Sequence, residues 1–574
     1  MIVGTATSAA ETTGGLSLVH GARLEEEPGI GALTIPGYLG QLVARYANRE
    51  AVVLNAGGRR LVWNYTDLHD KATELARALV ACGVGKNIRV GILMTNRPEF
   101  LAALFGTAMA GGVAVAISTF STPQELDQIV SASEISVLLY EERVLRKNFR
   151  GILGELEPAI LHDEPGDLSS ARFPYLCHVV ALGVIEGDVA APLEPAGAIE
   201  TWEMFLSRGK RVLPSIVEAR SSRILPSDPG GIFFSSGTTS IPKGIVHEQR
   251  AFAIQWWRWP RVFGMTESVR SWTGNGFFWS GNVSMVVGTA LSTGGAVILQ
   301  CYFEAAEALR LMEAERVSFA NGRPHQWARL QAAPNWEDAD LSSLKYVPRG
   351  DLLFEHKTVN TGWRVPMAFG TTETMTICTS AAGDPMAVTA PGCCGKPLPG
   401  NTLKIVDPRS GAILPRGDNG EMCIKGPTLM SGYLGKPREA CFDVDGFYCT
   451  GDGGHVDAAG RFFWKGRLTD MIKTGGANVS PEEVDLIIAN YPGVKRSQTV
   501  GLPDDLLGEM VVACIVPIGG ASIDVVSLTA HLKGCLASFK VPRAVLLFSD
   551  EEFAVTANEK VKIGDIKARA IARL

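Results

Sequence analysis

A loop dense in hydroxyl groups and glycine follows a strand-like apolar run near the middle of the chain. Residues 233–244 read FFSSGTTSIPKG. Glycine lets backbone N–H groups turn toward an anion, Ser and Thr hydroxyls add donors, and Lys243 adds a positive charge. The loop suits a triphosphate but lacks the spacing of a Walker A loop. Taken alone, its composition fits a mobile polar loop equally well.

Three further segments combine polar residues with glycine turns: FGTTE at 369–373, YCTGDG at 448–453 and KGRLTDMIKTGG at 465–476. Glu373 is suited to Mg²⁺, a hard cation that prefers oxygen ligands and bridges to phosphates. An acidic residue on a glycine turn, such as Asp452, can accept hydrogen bonds from both ribose hydroxyls. Each segment alone also fits an ordinary turn or surface charge pair.

In this order and at these separations, the four segments resemble the adenylate-forming superfamily, which includes acyl-CoA synthetases, luciferases and peptide-synthetase adenylation domains. The resemblance covers nearly the whole chain, from about Leu33 to Leu574. It implies that the chain uses ATP and Mg²⁺ to activate a carboxylic acid as an acyl-AMP. It further implies transfer of the acyl group to CoA.

The resemblance assigns nucleotide-binding roles position by position. The residues matching the loop over the β- and γ-phosphates are Ser235, Ser236, Gly237, Thr238, Thr239 and Lys243. Gly350 and Asp351 match a segment beside adenine. The motif that stacks on adenine, contacts the α-phosphate and holds magnesium corresponds to Phe369, Gly370, Thr371, Thr372 and Glu373. Asp452 matches the ribose acceptor and Arg467 the basic residue beside it.

The resemblance also assigns the moving parts. Lys560 matches the catalytic lysine and acts with Thr372 and Glu373, while Lys562 is the fallback. Thr469 matches the domain hinge, and Gly475 and Gly476 match the approach to the pantetheine channel. Lys473 is a candidate contact to the adenylate, and an exposed structural lysine fits it equally well.

Several positions depart from the family pattern. Ser240 and Glu559 each replace a usual glycine, and Arg349 stands where a small glycine is common. Phe369 keeps the stacking face of the usual Tyr without its hydroxyl. Thr469 replaces a charged hinge residue, and Phe278 replaces a His at the mouth of the acyl pocket.

The acyl pocket is expected beside an aromatic cluster, which favours a bulky hydrophobic or cyclic acid. Its candidate wall residues are Phe277, Phe278, Trp279 and Arg349, with Trp256, Trp257 and Trp259 as further candidates. Ordinary core aromatics explain these residues equally well. Two alternatives to a CoA ligase stay open: an enzyme that loads a carrier protein, and a catalytically silent nucleotide-binding protein.

Composition narrows the classes of protein and partner. The chain has 574 residues, a net charge of −6 and no strong bias to either sign, so nucleic acid is not an expected partner. Its 11 cysteines form no C-x-x-C pair and are expected to be reduced thiols in a cytoplasmic protein. We expect no signal peptide and no integral membrane segment, since residues 279–303 read as a buried helix, a turn and a strand. A homodimer stays open.

The fold class expected is α/β. Helical patterns alternating with short apolar strands, such as 65–82, 90–94, 99–110 and 113–117, indicate a mostly parallel sheet. From about Asn401, shorter strands and turns indicate a β-rich subdomain. We expect a flexible N-terminus at 1–31, a large adenylation domain with mixed sheets at 32–467, and a mobile α+β domain at 468–574.

Overall fold

The structure of the protein is a computed structural model. It describes residues 15–574 except 57, 184, 187–188, 191–192, 236–241, 266–267, 349–351, 385–389, 469–470, 475–476, 505–506, 520, 537–539 and 554–561. The protein is α/β, as the sequence predicts, with a large body of helices and three large sheets followed by a small α+β unit. Two antiparallel two-stranded sheets also belong to the described part of the body, Arg143–Val144 with Lys147–Asn148 and Ile185–Glu186 with Val189–Ala190.

The first sheet has eight strands, and its first six run parallel. In spatial order they are Ile199–Thr201, His178–Leu182, Ile135–Glu141, Arg89–Leu93, Val113–Ala116, Pro229–Ser235, Lys243–Glu248 and Gly432–Tyr433. The last three strands pair antiparallel. A hairpin and a strand from far along the chain therefore close this edge, where the candidate site lies.

The second sheet has five strands, four of them parallel. In order they are Phe319–Asn321, Arg270–Thr273, Ala296–Leu299, Glu50–Ala56 and Arg59–Asn64. Residues 279–303 supply a buried helical segment, a turn and the strand Ala296–Leu299, which confirms the prediction for that stretch. Among the described residues, no helix is long and apolar enough to cross a membrane.

Helices cover these two sheets because their apolar residues recur along one face. Tyr65–Ala81 begins at a capping box between Asn64 and Asp67, and it packs along Pro98–Ala110. The remaining helices of this region are Ile35–Tyr46, Pro123–Ser133, Phe149–Leu156, Ala159–His162, Trp202–Arg208, Pro214–Ser221, Gln249–Val262, Ser280–Asn282, Thr289–Ser292, Ala305–Ala314 and Pro324–Gln331.

The buried helix predicted within residues 279–303 differs in detail. A π-helical stretch, Val283–Gly288, lies between two short α-helices. Such single π-helical insertions are frequent at functional sites. This one follows the predicted acyl-pocket aromatics directly.

The third sheet is antiparallel and forms the β-rich subdomain. In order its strands are Leu18–His20, Thr402–Val406, Gly420–Lys425, Tyr448–Val456, Phe462–Arg467, Cys393–Pro397, Thr376–Ser380 and Ala368–Thr371. It begins earlier in the chain than the predicted start near Asn401. The strand Ala368–Thr371 and the 3-10 turn after it carry the predicted nucleotide motif at 369–373.

From residue 15 onward, the N-terminal segment is more ordered than the flexible N-terminus predicted for residues 1–31. Leu18–His20 pairs with Thr402–Val406 as an edge strand. Glu27 forms a bidentate pair with Arg258, which is fully buried. These long-range contacts hold a polar segment that has no apolar periodicity of its own.

One cysteine pair differs from the expectation of reduced thiols. Cys423 and Cys449 face each other across Gly420–Lys425 and Tyr448–Val456, and a disulfide joins them. The sequence offered no signal for this pair, because the two residues are 26 positions apart and only strand register places them opposite.

The small unit that follows has its own five-stranded sheet and core. Its strands in order are Ala477–Val479, Ile472–Thr474, Gly508–Pro517 and Val494–Asp504, and Ala544–Leu547 pairs parallel with Gly508–Pro517. Its helices are Pro481–Ala489, Val525–Cys535 and Ile563–Ile571. The unit is α+β, as the sequence predicts.

Candidate active site

The strands on either side of the phosphate-loop candidate form an antiparallel pair. Ser235 ends one strand and lies directly opposite Lys243, which begins the next. The positions between them that were predicted to bind phosphates, Ser236, Gly237, Thr238 and Thr239, lie outside the described residues. The hairpin therefore brings Ser235 and Lys243 together, as a phosphate-binding role requires.

The second motif, 369–373, leads into a turn with unusual backbone angles. Met375 has a φ of 51° and Thr376 a φ of 102°. A β-branched residue at such an angle is an outlier that persists only where its surroundings hold it. Gly370 is required here, since a Cβ on it would lie 1.5 Å from the Thr376 carbonyl oxygen.

Buried side chains beneath this turn hold its carbonyl groups. His247 Nε2 donates to the Thr372 carbonyl at 2.9 Å. Gln255 Nε2 donates to the carbonyls of Thr374 and Ile377, at 3.1 and 2.8 Å. Both side chains have no measurable exposure. Their hydrogen bonds hold the strained turn in place and orient the backbone of Glu373.

Tyr433 connects the first two motifs. Its hydroxyl donates to Glu373 Oε1 at 2.9 Å and contacts the Tyr448 hydroxyl at 3.1 Å. Lys243 Nζ lies 5.8 Å from the centre of its ring. Burial and the nearby Glu373 carboxylate raise the pKa of Tyr433, so its phenol stays protonated and remains a donor. Tyr448, the next residue in this chain of hydroxyls, begins the third motif.

Asp452, in the third motif, has a carboxylate oxygen that can accept further hydrogen bonds. Trp464 Nε1 donates to its Oδ1 at 3.0 Å. Its buried Oδ2 lies 3.3 Å from Arg467 Nη1 but accepts no hydrogen bond among the described residues. Burial raises the pKa of Asp452, and Arg467 opposes that shift. An unsatisfied carboxylate oxygen beside a guanidinium fits a site for ribose hydroxyls.

The same motifs offer further groups suited to ATP and magnesium. Thr371 Oγ1 is buried and finds no partner within the described part of the chain. No cluster of three or more His, Cys, Asp or Glu side chains there could hold a metal. Glu373 is a carboxylate that could hold Mg²⁺ together with the nucleotide phosphates, as is usual for this ion.

The aromatic positions fall into two groups. Phe277 and Phe278 are buried and Trp279 is half-buried in the loop before the π-helix. Trp256 and Trp257 pack on Tyr38, on the side of helix Ile35–Tyr46. Their indole N–H groups donate to backbone carbonyls, and Trp259 stacks on Phe263. Core packing therefore explains Trp256, Trp257 and Trp259.

Phe369 and Lys473 have contrasting environments. The Phe369 ring is mostly buried and packs edge-on against Phe462 at 5.4 Å between centroids. Lys473 is exposed, and its backbone N–H donates to Glu509.

Several predicted site residues lie outside the described part of the chain: Arg349, Gly350, Asp351, Thr469, Gly475, Gly476 and Lys560.

Sequence reasoning missed the supporting residues His247, Gln255 and Tyr433. Each lies far along the chain from the motif it contacts, with separations of 60 to 125 residues. No local spacing could have identified them. The weak available signal was polarity within an apolar context, as for His247 in the strand Lys243–Glu248.

Replacing Tyr433 by Phe should raise the Mg²⁺ concentration needed for half-maximal acyl-AMP formation about tenfold. The variant removes one hydrogen bond to a charged carboxylate, and such bonds contribute about 1.5–3 kcal/mol. Tyr448→Phe is the matched control, because it leaves the bond from Tyr433 to Glu373 intact. An Mg²⁺ titration that gives the same requirement for both variants would exclude this role of Tyr433.

His247 should make the fold less stable in mild acid. Burial lowers the pKa of His247 to about 4, against about 6.5 when the chain is unfolded. The unfolded state therefore binds the extra proton between these values, and stability falls as pH drops from 6.5 to 4, by about 3 kcal/mol in all. Denaturant unfolding should show this loss in the wild type and a smaller one in His247→Gln. Equal losses would contradict it.

Two protein-family models match most of the chain. Residues 40–434 match the AMP-binding enzyme family, and residues 483–560 match the AMP-binding enzyme C-terminal domain. A Mycobacterium tuberculosis 3-(7a-methyl-1,5-dioxo-octahydro-1H-inden-4-yl)propanoyl:CoA ligase is 30% identical over 520 residues, covering 89% of this chain and 94% of the relative. The feruloyl-CoA synthase of an Amycolatopsis species is 30% identical, covering 90% and 96%.

Solved structures share the fold. The anthranilate CoA ligase AuaEII, in complex with anthranoyl-AMP, has a TM-score of 0.75 at 24% identity, covering 96% of this chain and 99% of the other. ATP-bound MatB from Rhodopseudomonas palustris has a TM-score of 0.72 at 23% identity, covering 93% and 98%. The chain therefore belongs to the AMP-binding enzyme family, in the acyl-CoA ligase branch of the adenylate-forming superfamily.

Proposed function

We propose that the protein activates a bulky cyclic carboxylic acid with ATP, forming an acyl-AMP, and then transfers the acyl group to CoA. The observation that carries this proposal is the convergence at Tyr433. There Lys243 of the phosphate hairpin, Glu373 of the second motif and Tyr448 of the third motif meet. The ring-containing acids in the names of the relatives support the substrate class.

The first step joins the acid to the nucleotide. A carboxylate oxygen attacks the α-phosphorus in line, and the bond from that phosphorus to pyrophosphate breaks. The protein supplies positioning and charge rather than a nucleophile. Lys243 and Ser235 would hold the β- and γ-phosphates, Thr372 the α-phosphate, and Asp452 the ribose. Mg²⁺ held at Glu373 would neutralise charge on the phosphates.

The second step releases the nucleotide. The CoA thiolate attacks the acyl carbon, and AMP leaves with one oxygen of the original carboxylate. In the first step Lys560 would contact the carboxylate and the α-phosphate. Rotation about Thr469 would then withdraw it and bring Gly475 and Gly476 to the thiol approach. Such gating by domain motion is common in enzymes that assemble a site in two stages.

The acid would bind beside Phe277, Phe278 and Trp279. Phe278 packs edge-on against Phe120, which is 58% exposed, at 5.7 Å between ring centroids. The aromatic surface therefore continues from the buried Phe278 to solvent. Aromatic walls of this kind suit a flat or polycyclic acid better than acetate.

An acid panel tests the proposal. The protein is incubated with ATP, Mg²⁺ and acids ranging from acetate to ring-containing propanoates and cinnamates, and acyl-AMP is trapped with hydroxylamine. We expect hydroxamate from ring acids and little from acetate. Adding CoA should give a thioester, whereas a free carrier protein should not. If the thioester forms only on the carrier protein, the carrier protein and not CoA is the acceptor. If no acid leads to pyrophosphate release, the protein is not an adenylating enzyme.

A further inference from the structure

The loop 274–279, here the aromatic loop, is held by three side-chain amides that are almost fully buried. Asn96, Asn282 and Gln326 are each 4–5% exposed. They donate to three successive carbonyls, with Gln326 Nε2 to Gly274 at 2.7 Å, Asn96 Nδ2 to Asn275 at 2.8 Å and Asn282 Nδ2 to Gly276 at 2.9 Å. We call these three residues the amide clamp.

The orientation of each amide is determined by a second hydrogen bond. Asn96 Oδ1 accepts from the Phe277 N–H at 2.9 Å. Asn282 Oδ1 accepts from Asn321 Nδ2 at 2.9 Å, and Gln326 Oε1 accepts from the Arg323 N–H at 2.8 Å. Turning any amide over would place oxygen against carbonyl oxygen. The clamp is therefore a fully satisfied buried polar network, which specifies one conformation.

The clamp draws on separate parts of the large body. Asn96 follows the strand Arg89–Leu93 of the first sheet, and its neighbour Thr95 donates twice to the buried Glu141. Asn282 lies at the start of the π-helical segment. Gln326 lies in the helix Pro324–Gln331, after the second sheet. The aromatic loop is thereby tied to both sheets at once.

Packing leaves the aromatic loop little freedom of its own. A Cβ on Gly276 would lie 2.0 Å from the Phe278 ring. Phe277 packs on Phe100 at 5.5 Å between ring centroids. A shift of the backbone at Gly276 must therefore move Phe278. The orientation of the aromatic side chains follows the positions of the clamped carbonyls.

We propose that Asn96, Asn282 and Gln326 determine which acid the enzyme accepts, by fixing the aromatic loop as one wall of the acyl pocket. The inference rests on the proposed function, in which Phe277, Phe278 and Trp279 line that pocket. The three amides are positioning residues, since they act on the acid only through the loop. Losing a clamp bond leaves a buried carbonyl unpaired, and the loop shifts to satisfy it.

Isosteric substitutions test this role. Asn96→Asp and Asn282→Asp replace the donor to the loop by an acceptor without changing side-chain volume. We expect the ratio of kcat/KM for a ring-containing acid over that for acetate to fall about 10–100-fold, since displacing a bound group by about 1 Å can cost 10² in rate. The KM for ATP should stay unchanged, because the nucleotide contacts lie elsewhere.

Asn335→Asp is the matched control. Asn335 Nδ2 donates to the Ala306 carbonyl at 2.9 Å and not to the aromatic loop. This variant should keep the wild-type ratio between the two acids. A general loss of folding would instead lower kcat/KM for both acids alike. An unchanged ratio in the two clamp variants would overturn the proposal.

Hydrogen exchange separates failure of this inference from failure of the proposed function. Peptides spanning residues 274–283 should exchange slowly in the wild type and faster in Asn96→Asp, where the lost donor to the Asn275 carbonyl lets the loop open more often. Unchanged exchange rejects the clamp itself. If exchange rises but the wild type forms no acyl-AMP with any acid, the proposed function fails, and the role in acid choice falls with it.

Discussion

Glu373→Gln should lower the rate of acyl-AMP formation by about 10²–10³-fold. The substitution keeps the side-chain volume and removes the carboxylate charge that would hold Mg²⁺ against the phosphates. Losing one preorganised group that stabilises transition-state charge typically costs this factor. Tyr433 can still donate to the amide oxygen, so the turn should keep its geometry. The measurement is the initial rate of pyrophosphate release with a saturating acid.

Glu313→Gln provides the control for Glu373→Gln. Glu313 is exposed on the helix Ala305–Ala314, which belongs to none of the three motifs, and its replacement removes the same charge. This variant should retain the wild-type rate. A Glu373→Gln enzyme that releases pyrophosphate at the wild-type rate, with an unchanged Mg²⁺ requirement, would remove Glu373 from the catalytic machinery.

Lys560→Ala should lower acyl-AMP formation by about 10²–10³-fold while sparing the second half-reaction. In the proposed cycle Lys560 contacts the carboxylate and the α-phosphate only during adenylation, and domain rotation then withdraws it. Supplied with synthetic acyl-AMP and CoA, the variant should form thioester at close to the wild-type rate. The two half-reactions are measured separately, by hydroxamate trapping and by thioester absorbance.

Lys562→Ala decides between the two candidate lysines. It should leave both half-reactions unchanged if Lys560 carries the role, and it should reproduce the adenylation defect if the alternative is correct. The assignment to Lys560 would be wrong if Lys560→Ala kept full adenylation while Lys243→Ala and Glu373→Ala abolished it.

The predictable part of the fold was the part with local periodicity. Strand and helix alternation from 65 to 117 showed the parallel sheet, because buried strands and amphipathic helices leave repeating patterns. The edge strand Leu18–His20 left none, since its order depends on pairing with residues nearly 400 positions later. The disulfide between Cys423 and Cys449 was hidden for the same reason.

The candidate site shows the same difference between residues in local motifs and residues brought in from elsewhere in the chain. Ser235, Lys243, Glu373, Asp452 and Arg467 stand in compact motifs, so residue type and the family resemblance were enough to propose them. The groups that orient these motifs come from elsewhere in the chain and are polar residues in apolar surroundings, as His247, Gln255, Tyr433 and the amide clamp illustrate. Only the tertiary structure shows which carbonyl or carboxylate each one contacts.

Oxygen transfer from the acid to AMP tests the central claim most directly. The protein is incubated with ATP, Mg²⁺, CoA and a ring-containing acid that carries ¹⁸O in its carboxylate. The masses of the products are then measured by mass spectrometry. Attack of the carboxylate on the α-phosphorus predicts one ¹⁸O in each AMP, in step with thioester formation. Release of ADP, or of AMP without the label, would contradict activation through an acyl-AMP.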